Sequence, residues 1–323
     1  MKSFFTKKTI QSIIVVVALF LIIRYFATHR DELLILRHIR PQHLIGLTAL
    51  TFVAYMAYAA NILIILRKLG LKISNIAWFK LFIISRYINF HVTQGRNIYL
   101  SIKLKEDYGF SYTRSFSMIA FTAWLYTLST FVYSLGFLLL TTGDTYHSLI
   151  VTLIVLIVIC WILPFLAEQL LLNFPARNSK IIWIKSKLDD FRSFLKLSMT
   201  NKEIWMGTWG YSFVIFTVYL MMVHLGFLAI AHPFPFHQTI LYTIVLTTSR
   251  YFNVVPGNIG ITEYLCGYLT ESLGGSLSSG IIVSGLVRII DYLLAAILGL
   301  SFSKGLLPHF KNNKNYGDSS SAY

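Results

Sequence analysis

The sequence SRYIN occupies residues 85–89, and SRYFN occupies residues 249–253, so nearly the same motif occurs twice at an offset of 164 positions. Each copy lies in an apolar run, at about residues 76–90 and 239–255, that meets polar, Gly-containing sequence. A helix needs roughly 20 apolar residues to cross a bilayer, and both runs are too short or too soon interrupted for that. Backbone that leaves a helix at membrane depth is tolerated only where protein or a water-filled cavity satisfies its hydrogen bonds. We therefore predict two re-entrant helical hairpins, each made of a half-helix, a break and a returning half-helix.

The composition places these hairpins in a membrane protein. Of the 323 residues, 56% are hydrophobic and 13% are charged, which is about half the charged fraction of an ordinary soluble domain. This excludes a soluble globular protein and predicts an all-α polytopic membrane protein. Six apolar blocks are long enough for full spans, at about residues 10–27, 44–66, 115–140, 149–172, 204–231 and 278–303.

The same offset of 164 relates longer segments of the chain. It carries residues 44–66 onto 208–230 and residues 115–140 onto 279–304, so the chain is an internal duplication within one integral membrane domain. Repeat 1 covers about residues 10–140, repeat 2 covers about 149–304, and residues 305–323 form a polar tail. Three full spans separate the two hairpins, and because three is odd we predict two inverted repeats.

Positive charge assigns the sides of the membrane. Residues 67–114 hold nine Lys and Arg, residues 173–203 hold seven, and residues 1–9 and 304–323 hold three each, whereas residues 141–148 and 232–238 hold none. The positive-inside rule then places both termini in the cytoplasm of a multi-pass protein of the plasma (inner) membrane. One segment disagrees, because residues 28–43 carry three Arg on the predicted outer side. The net charge of +15 is explained by this topology, so we expect no nucleic acid partner.

Nothing in the sequence indicates a cofactor. Cys160 and Cys266 occur without a CxxC motif or a nearby histidine, so neither a disulfide nor a metal site is expected. No GxxxxGK[ST] phosphate loop occurs, and the longest polar connection, residues 173–203, is too short for a soluble catalytic domain. We therefore expect a protein that is not an enzyme and binds no cofactor.

Ionisable residues at membrane depth are costly and need a reason to be there. Arg86 and Arg250 stand directly before the two helix breaks, at matching positions of the repeats. Arginine is well suited to bind phosphate oxygens, but a guanidinium can equally cap the last carbonyls of a half-helix. Both interpretations stay open. If the phosphate interpretation holds, Arg86 and Arg250 approach one shared cavity, with Cα atoms within about 20 Å of each other.

A second group of ionisable residues follows the second break. Glu263, Gly267, Thr270 and Glu271 share one face of the half-helix that follows Gly260, while Arg288 and Asp291 share a face of the last span. Internal neutralisation, with Arg288 paired to Asp291 and Glu263, is one interpretation of this second group, and a polar path for a substrate is the other.

The second break contains Asn253, Pro256, Gly257 and Gly260. Pro stops the incoming helix, Gly permits a positive φ, and the next half-helix begins with unpaired N–H groups that can receive an anion. The pattern Asn253-x-x-Pro256-Gly257-x-x-Gly260-x-x-Glu263 resembles the signature of the lysylphosphatidylglycerol synthase transmembrane-region family.

The resemblance extends to the first hairpin, through Asn89, Gly95-Arg96, the basic segment 103–105 and residues 109–111. Gln94-Gly95 stands where Pro-Gly is usual in such proteins. Membership implies a flippase-like membrane domain that handles lipids, here as a stand-alone form without the soluble aminoacyltransferase domain of the two-domain members.

Our leading hypothesis is a flippase-like lipid translocase that moves a phospholipid or lipid-linked intermediate between leaflets. Its partners would be membrane lipids with a phosphate or anionic head group, and Glu263 and Asp291 are candidate proton carriers. An integral membrane enzyme acting on lipid-linked sugars, or an accessory partner of a separate biosynthetic enzyme, are the alternatives. The predicted substrate-binding residues are Arg86, Asn89, Arg250, Asn253, Pro256, Gly257, Gly260, Glu263, Arg288 and Asp291.

Overall fold

The computed structural model describes residues 39–142, 147–172, 201–249 and 258–303, with scattered positions between 20 and 37 and between 189 and 200. The predicted polar tail and most of the predicted first span, residues 10–27, lie outside the described residues. These regions contain nine α-helices of ten residues or more: α1 Pro41–Lys68, α2 Asn75–His91, α3 Gly95–Tyr108, α4 Tyr112–Thr142, α5 His147–Leu172, α6 Lys202–Ala229, α7 Phe236–Thr248, α8 Ile261–Ser272 and α9 Leu277–Ser303.

Five of these helices, α1, α4, α5, α6 and α9, are long and apolar enough to cross a membrane. They correspond to five of the six predicted spans, and their ends lie within three residues of the predicted bounds. At most of these ends the helices extend slightly further because polar end residues continue the turn. Arg67 and Lys68, for example, form the last turn of α1, where cations interact favourably with the helix dipole. The protein is an all-helical, multi-pass membrane protein.

The two shorter helices α2 and α3 contain the first copy of the repeated motif. Helix α2 ends at His91, and Val92 donates its N–H to the Ile88 carbonyl at 2.9 Å. The chain then reverses through Gln94, whose φ of 61° is left-handed, and α3 starts at Gly95. A Cβ at Gly95 would lie 2.9 Å from Cγ2 of Ile88, so only glycine fits this turn.

The second copy of the motif lies at helices α7 and α8. Helix α7 ends at Thr248 and α8 begins at Ile261, after Gly260 with a φ of 86°. The helix that was expected after Gly260 is therefore present. Residues 250–257, with the predicted site residues Arg250, Asn253, Pro256 and Gly257, lie outside the described residues.

The helices pack in matching pairs. Helices α1 and α6, which the offset of 164 relates to each other, share the most extensive contact. Helix α2 of the first half packs on α9 of the second half, and α7 of the second half packs on α4 of the first. These contacts are equivalent, because the offset of 164 relates α2 to α7 and α4 to α9. The contacts α3 with α4 and α8 with α9 match in the same way. Helix α5 lies at the periphery against α4, and most of its apolar side chains are exposed.

Candidate substrate-binding site

A cavity of about 350 Å³ lies between helices from both halves of the chain. Helices α1, α2, α3, α4 and α9 form its walls, together with the ends of the segment between α7 and α8. Its volume is within the roughly 300–1,000 Å³ of small-molecule sites. Four predicted site residues line it, namely Arg86, Asn89, Arg288 and Asp291.

Arg86 of α2 forms a forked ion pair with Asp291 of α9. Its Nε lies 2.9 Å from Oδ1 of Asp291, and its Nη2 lies 2.7 Å from Oδ2. The side chains are only 11% and 7% exposed. The hydroxyl of Tyr55 donates to the same carboxylate and lies 2.7 Å from the Asp291 carbonyl oxygen. The capping interpretation is wrong for Arg86, because its guanidinium binds a carboxylate of the other half of the chain.

Aromatic residues surround this guanidinium. The Arg86 Cζ atom lies 4.7 Å from the ring centre of Tyr55 and 5.9 Å from that of Tyr58. Its Nη2 also lies 3.5 Å from the hydroxyl of Tyr219. Tyr55 and Tyr219 are 164 positions apart, so the two equivalent tyrosines of the duplication meet at one arginine. Electron-rich ring faces and the carboxylate stabilise the buried cation together.

Glu263 and Arg288 form a second ion pair, with 2.7 Å between Oε1 and Nε. The other Glu263 oxygen accepts the N–H of Gly260 at 2.7 Å, so the chain's own carboxylate occupies the start of α8, where a substrate anion was expected. The predicted pairing of Arg288 with Glu263 is thus confirmed. Asp291 binds Arg86 of α2, a partner that the sequence did not predict, so arginines of two different helices neutralise the two acids.

The predicted polar face of α8 packs against α9 and does not line the cavity. An added Cβ at Gly280 would lie 2.7 Å from Cα of Gly267 and would also collide with the Thr270 hydroxyl. Thr270 is buried and donates to the Cys266 carbonyl at 2.8 Å, whereas Glu271 is exposed. The small residues therefore serve close helix packing.

Several polar residues of the cavity wall were not predicted as site residues from the sequence, namely Asn61, Gln94, Arg96, Asn97 and Asn258. Arg96 lies in the first turn of α3, and its guanidinium is 5.1 Å from the ring centre of Phe82. Asn61 is only 1% exposed. Its Oδ1 has no hydrogen-bond partner within the described part of the chain. A lone carboxamide in the apolar span 44–66 was the available signal, because buried polar groups in a membrane mark functional sites.

The segment that contains Arg250 begins and ends at this cavity. Thr247 and Asn258 both line it, and the Asn258 side-chain amide donates to the Ser249 carbonyl. The separation of Arg86 and Arg250 stays a prediction, because Arg250 lies outside the described residues.

These features define an all-helical membrane protein with a polar, arginine-lined cavity between the two halves of its chain. The model of the lysylphosphatidylglycerol synthase TM region matches residues 4–299, so the chain belongs to that family. It is also similar to a UPF0104 membrane protein of Pyrococcus horikoshii, with 26% identity over 107 residues, which are 33% of this chain and 32% of the relative. The chain therefore matches about a third of that relative's length. No solved structure matches the chain.

Proposed function

We propose that the protein is a flippase-like translocase that moves a phospholipid or lipid-linked intermediate between the leaflets of the plasma membrane. Membership of a lipid-related membrane family supports a lipid as the substrate. The observation that carries the proposal is the cavity, because it collects three arginines, Arg86, Arg96 and Arg288, at a single place between the apolar helices.

The charges of the cavity favour a phosphate. Asp291 compensates Arg86, Glu263 compensates Arg288, and Arg96 adds a third guanidinium to the cavity wall. Arg96 also lies in the first turn of α3, where the helix dipole favours an anion. A guanidinium fork matches phosphate oxygens well. In our proposal the head group enters the cavity and the acyl chains stay in the bilayer.

We infer that the two halves of the chain are inverted repeats and that α2–α3 and α7–α8 are re-entrant hairpins. The contact of α2 with α9 is equivalent to the contact of α7 with α4, and this equivalence supports a two-fold relation between the halves. The four hairpin helices have 12 to 17 residues, which is shorter than the roughly 20 residues of a full span. In such transporters the substrate site lies between the repeats, near the midplane. Transport would then be driven by the membrane potential or by protons, with Asp291 and Glu263 as carriers.

The test is transport by Arg96 variants in liposomes with head-group-labelled lipids. Arg96→Lys keeps the charge and loses the fork, so it should retain part of the transport, whereas Arg96→Gln should retain little. Both variants should unfold near the wild-type temperature. The matched control is Arg67→Gln, because Arg67 bonds to the Ile73 carbonyl in a loop away from the cavity and should leave transport unchanged. Normal transport by well-folded Arg96→Gln would end the phosphate assignment. Transport by Arg250→Lys and Arg250→Gln tests in the same way whether Arg250, the arginine at the matching position of the second repeat, binds the phosphate.

A further inference from the structure

We propose, resting on the translocase function above, that the head group is an uncharged polyol joined to the lipid through its phosphate. The proposal follows from the hydrogen-bonding groups and the charges of the cavity wall.

The wall is rich in carboxamides. Asn61, Asn89, Gln94, Asn97 and Asn258 all line the cavity. A carboxamide offers both donors and an acceptor, which matches a hydroxyl group, because a hydroxyl can donate and accept as well. Phosphate recognition alone needs donors only. The oxygens of Asn89 and Gln94 already accept hydrogen bonds, from the Arg96 N–H and from Asn97, so the Asn61 oxygen is the acceptor that indicates a ligand part with hydrogen-bond donors.

Asn61 makes this argument specific. All four other carboxamides already have protein partners: Asn97 donates to Gln94 at 2.6 Å, Asn258 donates to the Ser249 carbonyl, and Asn89 accepts the Arg96 backbone N–H at 3.5 Å. Asn61 is only 1% exposed. Its Oδ1 has no hydrogen-bond partner among the described residues. A buried acceptor without a donor is destabilising. The oxygens of a phosphodiester only accept, so the partner of Asn61 is a hydroxyl or an ammonium group.

Charge decides between these two donors. The charged residues in the described cavity wall are three arginines, Arg86, Arg96 and Arg288, and one carboxylate, Asp291. Asp291 is already held by the Arg86 fork and by Tyr55. The three arginines of the wall outnumber the two carboxylates that pair with them, Asp291 and Glu263, so an ammonium group in the same small cavity would be repelled by the net positive charge. A hydroxyl satisfies Asn61 without this cost, so the cavity selects hydroxyl-bearing over cationic head groups.

Four acyl-labelled lipids separate the possibilities in liposomes that contain the purified protein. Phosphatidylinositol supplies the polyol, and phosphatidylethanol has the same charge without free hydroxyls on its head group. Phosphatidylethanolamine and lysylphosphatidylglycerol carry ammonium groups. We expect phosphatidylinositol to move at least about tenfold faster than phosphatidylethanol, because one unsatisfied buried group is worth about that factor. Both ammonium lipids should be slower than phosphatidylinositol.

The Asn61→Leu variant tests the assigned contact. It keeps the size of the side chain and removes its hydrogen-bonding groups, so the ratio of phosphatidylinositol to phosphatidylethanol transport should fall several-fold. Asn61→Ala repeats the test with a smaller side chain that also lacks an acceptor if the Leu variant does not fold. Asn75→Ala is the control, because Asn75 is exposed at the start of α2 and should leave the ratio unchanged.

The outcomes distinguish this inference from the function on which it rests. Equal transport of all four lipids, faster transport of an ammonium lipid, or an unchanged ratio in Asn61→Leu would each overturn the polyol assignment and leave translocation standing. If no lipid moves faster than in protein-free liposomes, the translocase function itself is wrong.

Discussion

Arg86 and Asp291 are far apart in the chain, yet each depends on the other to be buried. Asp291→Asn would leave the Arg86 guanidinium without its counter-ion and should destabilise the protein by about 3–5 kcal/mol. The double variant Arg86→Met with Asp291→Asn removes both charges and should recover most of that loss. Thermal unfolding of the single and double variants in detergent measures the coupling. Additive losses in the double variant would show that the pair does not act as a unit.

The control is an exposed ion pair of the same type. Lys103 and Glu106 lie 2.9 Å apart on α3, and the Glu106 side chain is 55% exposed. Water screens this pair, so Glu106→Gln should change stability by less than about 1 kcal/mol. The contrast attributes the large effect at Asp291 to burial.

At the scale of the helices, the contact of α8 with α9 depends on Gly280. An added Cβ would lie 2.6 Å from the Cys266 carbonyl oxygen and 2.7 Å from Cα of Gly267. These are backbone atoms, so Gly280→Ala has to separate the helices and should cost about 1–3 kcal/mol. It should also expose the buried thiol of Cys266 to alkylation. Gly285 on the same helix has nothing within 4 Å of its Cβ position, and Gly285→Ala should be tolerated. Equal effects of the two substitutions would contradict this packing.

At the scale of the whole molecule, inverted repeats place equivalent connections on opposite sides of the membrane. Lys72 lies between α1 and α2, and His232 lies between α6 and α7, which are the matching connections of the two halves. In a protein without Cys160 and Cys266, Lys72→Cys should be labelled only from the cytoplasm and His232→Cys only from outside. Both residues are exposed at helix ends, so the substitutions should not disturb folding. Labelling of both from the same side would show parallel repeats.

The sequence was sufficient to locate the helices, because the apolar length of a span and the residues that end a helix are local properties. The bounds of α1, α4, α5, α6 and α9 follow the apolar blocks, and the offset of 164 anticipates which helices occupy equivalent places. The choice of Arg86, Asn89, Arg288 and Asp291 as cavity residues followed from the cost of polar groups at membrane depth.

Only the tertiary structure decided which of these groups meet. Arg86 and Asp291 are 205 positions apart, and no local pattern tells which of several acids a buried arginine will contact. Asn61 and Arg96 became site residues because α1 and α3 face the same space. Helix positions depend on residues near in sequence, whereas ion pairs and cavity walls depend on how distant helices pack, and this packing determined the partners in the site.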